Sequence, residues 1–281
     1  MTELQTIQLD TLKEFIRICD ELELTYFLVC GSALGAVKYQ GFIPWDDDLD
    51  VALPREDYKI FCEKAPAMLP KHLFLQNYKT DPEFPLIFSK IRNSNTTFVE
   101  ASLSRRNINH GVYIDVFPID GYPDDKKSIL FLEKEKRRYQ LSLLSCVNRK
   151  RTWKISVLVF VERLICVDKF FHKFVERVER VLSQYPLETS QLWCNHGNWQ
   201  GELEYAPREQ YGSGLCACFE GMNVRIPERY DEYLTQKYGN WREEPPEEEQ
   251  KGHHYHLICD CNRPYTDYIE FRNRKARIKK V

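Results

Sequence analysis

The sequence predicts an α/β chain of the α+β kind, a mixed sheet with flanking helices, and three observations carry that prediction. The chain opens on an amphipathic pattern. A short apolar run then breaks into a Gly-Ser turn before a helix, and a second apolar run follows four carboxylates packed into five positions.

Leu12, Phe15, Ile16, Cys19 and Leu22 recur at helical spacing, so the first element is a helix whose apolar stripe packs on the sheet. Tyr26-Phe27-Leu28-Val29-Cys30 reads as a strand, and Gly31-Ser32-Ala33-Leu34-Gly35-Ala36-Val37-Lys38 as a tight turn entering a helix. Gly31 supplies the backbone angles of the turn, and Ser32 either caps the helix or bonds an anion. The amides and positive end of that helix would face whatever lies beside the next strand, a natural cradle for phosphate.

The next strand is the acidic one. In Trp45-Asp46-Asp47-Asp48-Leu49-Asp50, with Leu49 to Leu53 extended, Asp48 and Asp50 project to one side. Two carboxylates so close repel unless a proton or cation sits between them, and hard oxygen ligands of this kind suit Mg²⁺ or Mn²⁺. Asp46 and Asp47 precede the strand, where at least one can face water. A Gly-Ser turn followed by a strand carrying Asp-x-Asp is the layout of a nucleotidyltransferase active site, which calls for a third carboxylate on a nearby strand.

A helix is expected near Arg55 to Met68. Beyond it, Lys90 and Arg92 alternate along Leu86 to Arg92 and can point from one strand face; with Lys38 they are candidate phosphate clamps. Asp115 then stands alone in the apolar run Gly111 to Pro118, where burial without a partner would be costly. It answers as the third carboxylate, or as an ion pair with Arg105 or Arg106. Asp120, after Pro118, reads as a turn or cap residue.

Two blocks carry a resemblance. Gly31-Ser32-x-Leu34-Gly35-Ala36-x-Lys38 with Gly41-x-Ile43-Pro44-Trp45-Asp46-Asp47-Asp48-x-Asp50, and then His110-Gly111-x-x-Ile114-Asp115-x-Phe117-Pro118-x-Asp120-Gly121, resemble the signatures of the LicD family of phosphocholine transferases. That family is related to fukutin and fukutin-related protein. Looser pieces follow in the second half: Phe219-Glu220-Gly221, Pro227, Tyr230 to Trp241, Pro245-Pro246 and His253-His254. The resemblance implies a nucleotidyltransferase-like core at 1–125, a helical insert at 126–190, and a C-terminal subdomain at 191–281 that completes the core.

It also implies a reaction. Phosphocholine, or another phosphate-linked alcohol, would pass from CDP-choline or another CDP-alcohol to a sugar hydroxyl of a cell-surface glycan or its lipid-linked precursor, with CMP leaving. Asp48 and Asp50 would hold Mg²⁺ (or Mn²⁺), Asp46 or Asp115 would complete the shell, and Asp115 is the first choice of general base. Gly31, Ser32, Lys38, Trp45, Lys90, Arg92, His253 and His254 would bind substrate. A choline headgroup favours aromatic faces, and Trp45, Tyr113, Trp193, Trp199 and Tyr211 are all eligible. The alternatives are an Asp-x-Asp glycosyltransferase using a nucleotide sugar and a non-catalytic scaffold of the same fold.

Forty basic against forty-two acidic side chains leave the chain near neutrality, which argues against a nucleic-acid partner. Met1 to Asp10 shows neither a basic start nor an apolar core, and the apolar run Val157 to Val161 is cut short by Glu162 and Arg163. A cytoplasmic location is therefore expected. In the insert, Glu133 to Arg138 mark a charged helix, and Leu164, Val167, Phe171, Phe174, Val178 and Val181 mark a longer pattern. Arg149, Lys150, Arg151, Trp153 and Val157 to Val161 either pack on the domain or meet the inner face of a membrane peripherally.

The ten cysteines are read as thiols. Cys216-x-Cys218 and Cys259-x-Cys261, with Cys194, His196, His253, His254 and His256, offer ligands for a structural zinc.

Overall fold

The computed structural model describes residues 1–146, 171–198, 200–252, 254–272 and 275–278. Helix α1 (Glu3–Glu21) starts on a reciprocal cap, in which the Thr2 hydroxyl accepts from the Gln5 N–H and the Gln5 side chain accepts from the Thr2 N–H. Its stripe of Leu9, Leu12, Phe15, Ile18 and Cys19 is buried against the sheet.

Strand β1 is only Phe27–Leu28. The longer expected strand stops there because Cys30 takes a left-handed backbone, φ 51°, and already opens helix α2 (Cys30–Lys38). The strained turn angle thus falls on Cys30, one residue before the glycine expected to carry it. Strand β2 (Asp50–Pro54) and helix α3 (Arg55–Met68) follow, then β3 (Leu73–Gln76), β4 (Ser89–Asn93), β5 (Thr97–Glu100) and the long β6 (Val112–Tyr122).

The mixed sheet runs β1-β2-β6-β4-β3. β2 and β6 are parallel, with Asp50 opposite Asp115, while β1, β3 and β4 run antiparallel to their neighbours. All eleven residues of β6 are buried. Asp120 is therefore no turn residue: it lies within β6, closed by Arg55.

The insert contributes α4 (Lys126–Cys146) and α5 (Phe171–Leu182), which bury Leu132, Tyr139, Leu143, Val175, Val178 and Leu182 against Tyr78 and Tyr122. The basic segment Arg149 to Trp153, Val157 to Val161, Leu164 and Val167 lie outside the described residues. Strands β7 (Leu192–Cys194) and β8 (Tyr205–Pro207) extend the sheet from the far end of β6.

After the short α6 (Arg208–Tyr211), β9 (Leu215–Phe219) and β10 (Met222–Ile226) form a hairpin. Its two turn residues, Glu220 and Gly221, are both left-handed, as tight hairpins prefer. The Glu220 carboxylate accepts from the Phe42 N–H at 3.1 Å, and a Cβ on Gly41 would lie 2.2 Å from it, so the hairpin locks the approach to the acidic loop. Helix α7 (Tyr230–Tyr238), β11 (His256–Asp260, paired with β5), α8 (Tyr265–Tyr268) and the hairpin β12 (Ile269–Arg272) with β13 (Lys275–Ile278) complete the order. Among the described residues no helix is long and apolar enough to cross a membrane.

Candidate active site

The acidic loop is held from beneath by two buried glutamines of α1. Gln5 Nε2 donates to the carbonyls of Ile43 and Asp46 at 3.3 and 3.1 Å, and Gln8 Nε2 to those of Asp47 and Tyr113 at 2.9 and 3.3 Å. Carbonyls fixed inward leave the carboxylates to point elsewhere. Ser32 is not the cap of α2, since Val29 occupies that position without a side-chain bond; its Oγ accepts from the Asp50 N–H at 2.8 Å and ties the helix start to the acidic strand. Gly31 is required for space: a Cβ there would meet Asp46 Oδ2 at 2.8 Å.

Asp46, Asp48, Asp50 and Asp115 line one cavity of about 1060 Å³. Burial and the neighbouring Asp48 push the Asp46 carboxyl up to about 8. Asp50 is driven well above the usual carboxylate range by burial and then by the charges of Asp48 and Asp115. Burial also raises Asp115, against the pull of Lys90.

The cations are fewer and mostly engaged. Lys90 Nζ lies 2.9 Å from Asp115 Oδ1, 3.3 Å from Glu100 Oε1 and 3.4 Å from the centre of the Tyr113 ring. Arg92 shares its strand face, as alternation requires, but its guanidinium is consumed by Glu100 at 2.6 Å, Gln76 at 2.8 Å and the Gly111 carbonyl at 2.9 Å. It is fully buried and does not line the cavity, so the structure makes it a support for Glu100 and leaves it no phosphate to clamp. Lys38 stands at the other end of α2 from Gly31. It lines the cavity, but its Nζ is held by the carbonyls of Trp241 and Glu243 and by Glu244 at 3.1 Å, so much of its charge is spent there.

His254 joins from the segment before β11. Its Nδ1 lies 3.2 Å from Asp47 Oδ1 and 3.4 Å from Asp48 Oδ2. Burial alone would lower this imidazole, but the hydrogen bond with Asp47 and the charge of Asp48 outweigh it and raise its pKa to about 10. Asp47 also accepts from the His254 N–H at 3.1 Å, and Gly252 leaves it room, because a Cβ there would meet Asp47 Oδ2 at 2.4 Å. His253 and Trp199 lie outside the described residues.

Whether these residues suit a divalent cation can be judged from their charges. Among the described residues the cavity is lined by eight carboxylates against two lysines and one histidine. Such an excess of oxygen donors, two of them raised by burial and by their neighbours' charge, fits a hard cation of the Mg²⁺ class. Asp47, Asp48 and His254 also bring one ligand atom each within 4.8 Å of one another. Among the described residues no set of cysteines and histidines gathers in this way: Cys216 and Cys218 sit on β9, Cys259 on β11, and Cys194 only meets His196 at 3.3 Å in the core. The zinc expectation thus finds no cluster there.

Sequence reasoning missed Glu100, whose burial between Lys90 and Arg92 organises the cations; its signal was a charged residue closing the strand-like Thr97-Phe98-Val99 run. Gln5 and Gln8 were missed because amides on an apolar helix face read as interruptions. Glu220 stands in the quoted Phe219-Glu220-Gly221 piece, but its bond to Phe42 leaves no sequence trace, and neither does the contact of Glu244 with Lys38 and Tyr39.

Comparison with known proteins agrees with this geometry. The LicD/FKTN/FKRP nucleotidyltransferase domain matches residues 23–144, which span α2, the acidic loop and β6. The lipopolysaccharide cholinephosphotransferase LicD of Haemophilus influenzae is 29% identical over 263 residues, covering 90% of this chain and 96% of that protein. Uncharacterized proteins of Rickettsia prowazekii and Rickettsia typhi are each 39% identical over 46 residues, 16% of this chain and 17% and 15% of theirs.

Proposed function

We propose that the chain is a phosphocholine transferase of the LicD kind, which moves phosphocholine from a cytidine diphosphate donor to a sugar hydroxyl of a cell-surface glycan or its lipid-linked precursor, releasing CMP. The observation that carries the reading is the pairing of Asp50 with Asp115 on adjacent parallel strands, beside the start of α2 and on the cavity wall. Both the Asp-x-Asp pair and the third strand acid are present, as the transferase requires and as an Asp-x-Asp glycosyltransferase does not.

Asp48 and Asp50, with Asp46 completing the shell, would hold Mg²⁺ or Mn²⁺, which when bound neutralises the diphosphate and the oxygen of the departing CMP. The chain's own groups do the rest. Gly31 lets the diphosphate approach the amides at the start of α2, where partial positive charge favours it. Lys90 adds one fixed positive charge at the cavity wall, held in place by Glu100 and the Tyr113 ring. Asp115, raised by burial, is our assignment for the group that accepts the proton of the incoming hydroxyl. His254 orients Asp47 and Asp48. Positioning and charge are the main contributions that phosphoryl transfer needs from a protein.

Calorimetric titration with CDP-choline, CDP-ribitol, CDP-glycerol and a nucleotide sugar, each with Mg²⁺ and with chelator, tests the reading. Magnesium-dependent binding of CDP-choline is the expected result. Binding of another CDP-alcohol alone would replace the donor and keep the chemistry, whereas binding of the nucleotide sugar alone would replace the reaction.

A further inference from the structure

On the cavity wall, at the residue before Asp46, two aromatic rings meet edge to face at nearly a right angle. Tyr39 caps the C-terminus of α2, and its ring lies 6.2 Å from that of Trp45 with the planes at 79°. The Tyr39 hydroxyl donates to the Glu244 carboxylate, at 2.8 and 2.7 Å from its two oxygens. All three residues line the cavity. We infer that this corner of Tyr39, Trp45 and Glu244 receives the quaternary ammonium headgroup of the donor, an inference that rests on the phosphocholine reading.

The chemistry of the corner selects such a group. A quaternary ammonium carries no N–H, so it cannot be held by hydrogen bonds and relies on ring faces and diffuse negative charge. The corner supplies both. Helices α2 and α7 each end here, at Lys38 and Tyr238, and helix C-termini carry partial negative charge. A cation is already tolerated: Lys38 Nζ lies 5.6 Å from the centre of the Tyr39 ring. Lys38 offsets one carboxylate, and the neighbouring Glu243 keeps the corner anionic, which excludes phosphate from it.

The placement suits a short donor arm. Gly31, Leu34 and Lys38 lie along one face of α2 and all line the cavity, with roughly 10 Å of helix rise from the first to the last. Trp45 bridges that span, since it is bonded to Asp46 in the chain and its ring packs on Tyr39. A phosphate at the acids therefore leaves its headgroup beside Trp45.

The test titrates the full chain, in Mg²⁺, with CDP-choline, CDP-glycerol and phosphocholine, using wild type, Tyr39→Leu, Trp45→Leu and Trp45→Phe. Wild type should prefer CDP-choline to CDP-glycerol by about tenfold. Each leucine variant should lose that preference and weaken phosphocholine about tenfold, with CDP-glycerol unchanged, and Trp45→Phe should retain most of both. If CDP-choline binds with magnesium and the leucine variants weaken it no more than CDP-glycerol, the inference falls and the donor reading stands. Corner-dependent binding of phosphocholine with no preference for the cytidine donor supports the inference and overturns the donor reading. Failure of any choline compound to bind wild type overturns both.

Discussion

Strand β6 carries two buried aspartates five residues apart, and they have opposite surroundings. Asp120 faces Arg55 through two hydrogen bonds of 2.6 Å, with Glu179 on the guanidinium's other side at 2.9 Å. Asp115 faces Lys90 through one contact and shares it with Glu100, with Asp48 and Asp50 crowding the same centre, so the excess of acid is larger there than around Arg55, which grips both oxygens of Asp120. The same residue type, on the same strand and at equal burial, is a structural ion pair in one place and an unbalanced site in the other. The number of matching partners decides which, because a buried charge is tolerated only when it is neutralised or awaits something that neutralises it.

The largest effect should come from the unbalanced end. Asp48→Asn is expected to cut turnover about a thousandfold, as loss of a group that stabilises transition-state charge does. Its melting temperature should hold or rise, because the substitution removes a charge that presses on Asp46 and Asp50. Steady-state assays beside thermal melts check both halves. A variant that stays active would remove the metal-centred reading, and one that melts early would make Asp48 structural.

The balanced end should behave in reverse. Asp120→Asn leaves the Arg55 guanidinium buried with Glu179 alone and should cost about 3 kcal/mol, the low end for breaking a buried pair. Chemical denaturation measures it, and turnover of the folded fraction should stay within a few-fold of wild type. Loss of turnover without loss of stability would mean that the two ends of β6 are not separable as described.

Much of this was legible in the sequence, for physical reasons that differ by element. Helix α1, the turn into α2 and α3 follow from periodicity and punctuation, which act over a few residues. Asp50 and Asp115 were legible as site candidates because an acid inside an apolar run demands an explanation. Asp120 met the same condition and was read as a turn or cap residue, since it follows Pro118, whereas β6 simply runs through that proline opposite Leu53. Arg92 and Lys38 share the charge expected of phosphate ligands. Only three-dimensional packing shows that Glu100, Gln76 and Gly111 consume the one and that the loop after α7 takes up much of the other's charge. Long-range partners leave no periodic trace, so roles set by them stay hidden.

A third buried group on the same segment gives the smallest expected effect and the finest test of the partner rule. His110 stands two residues before β6, fully buried, and its Nε2 lies 3.0 Å from the Arg106 carbonyl. Burial and then the positive charge of Arg92 lower it to about 4, with Glu100 only partly opposing them. The folded state therefore holds His110 neutral at a pH where the unfolded chain, titrating near 6.5, has already taken up a proton. The sign follows from that difference: the stability it contributes is complete above about 6.5 and drains as pH falls toward 4. Between pH 7 and 5 the loss should be roughly 2 kcal/mol, and His110→Gln should flatten this part of the profile. Denaturation at the two pH values, for both proteins, measures it. An unchanged slope in the variant would mean that His110 finds a neutralising partner after all, and that the surroundings of a buried charge on this strand are not read correctly from its neighbours.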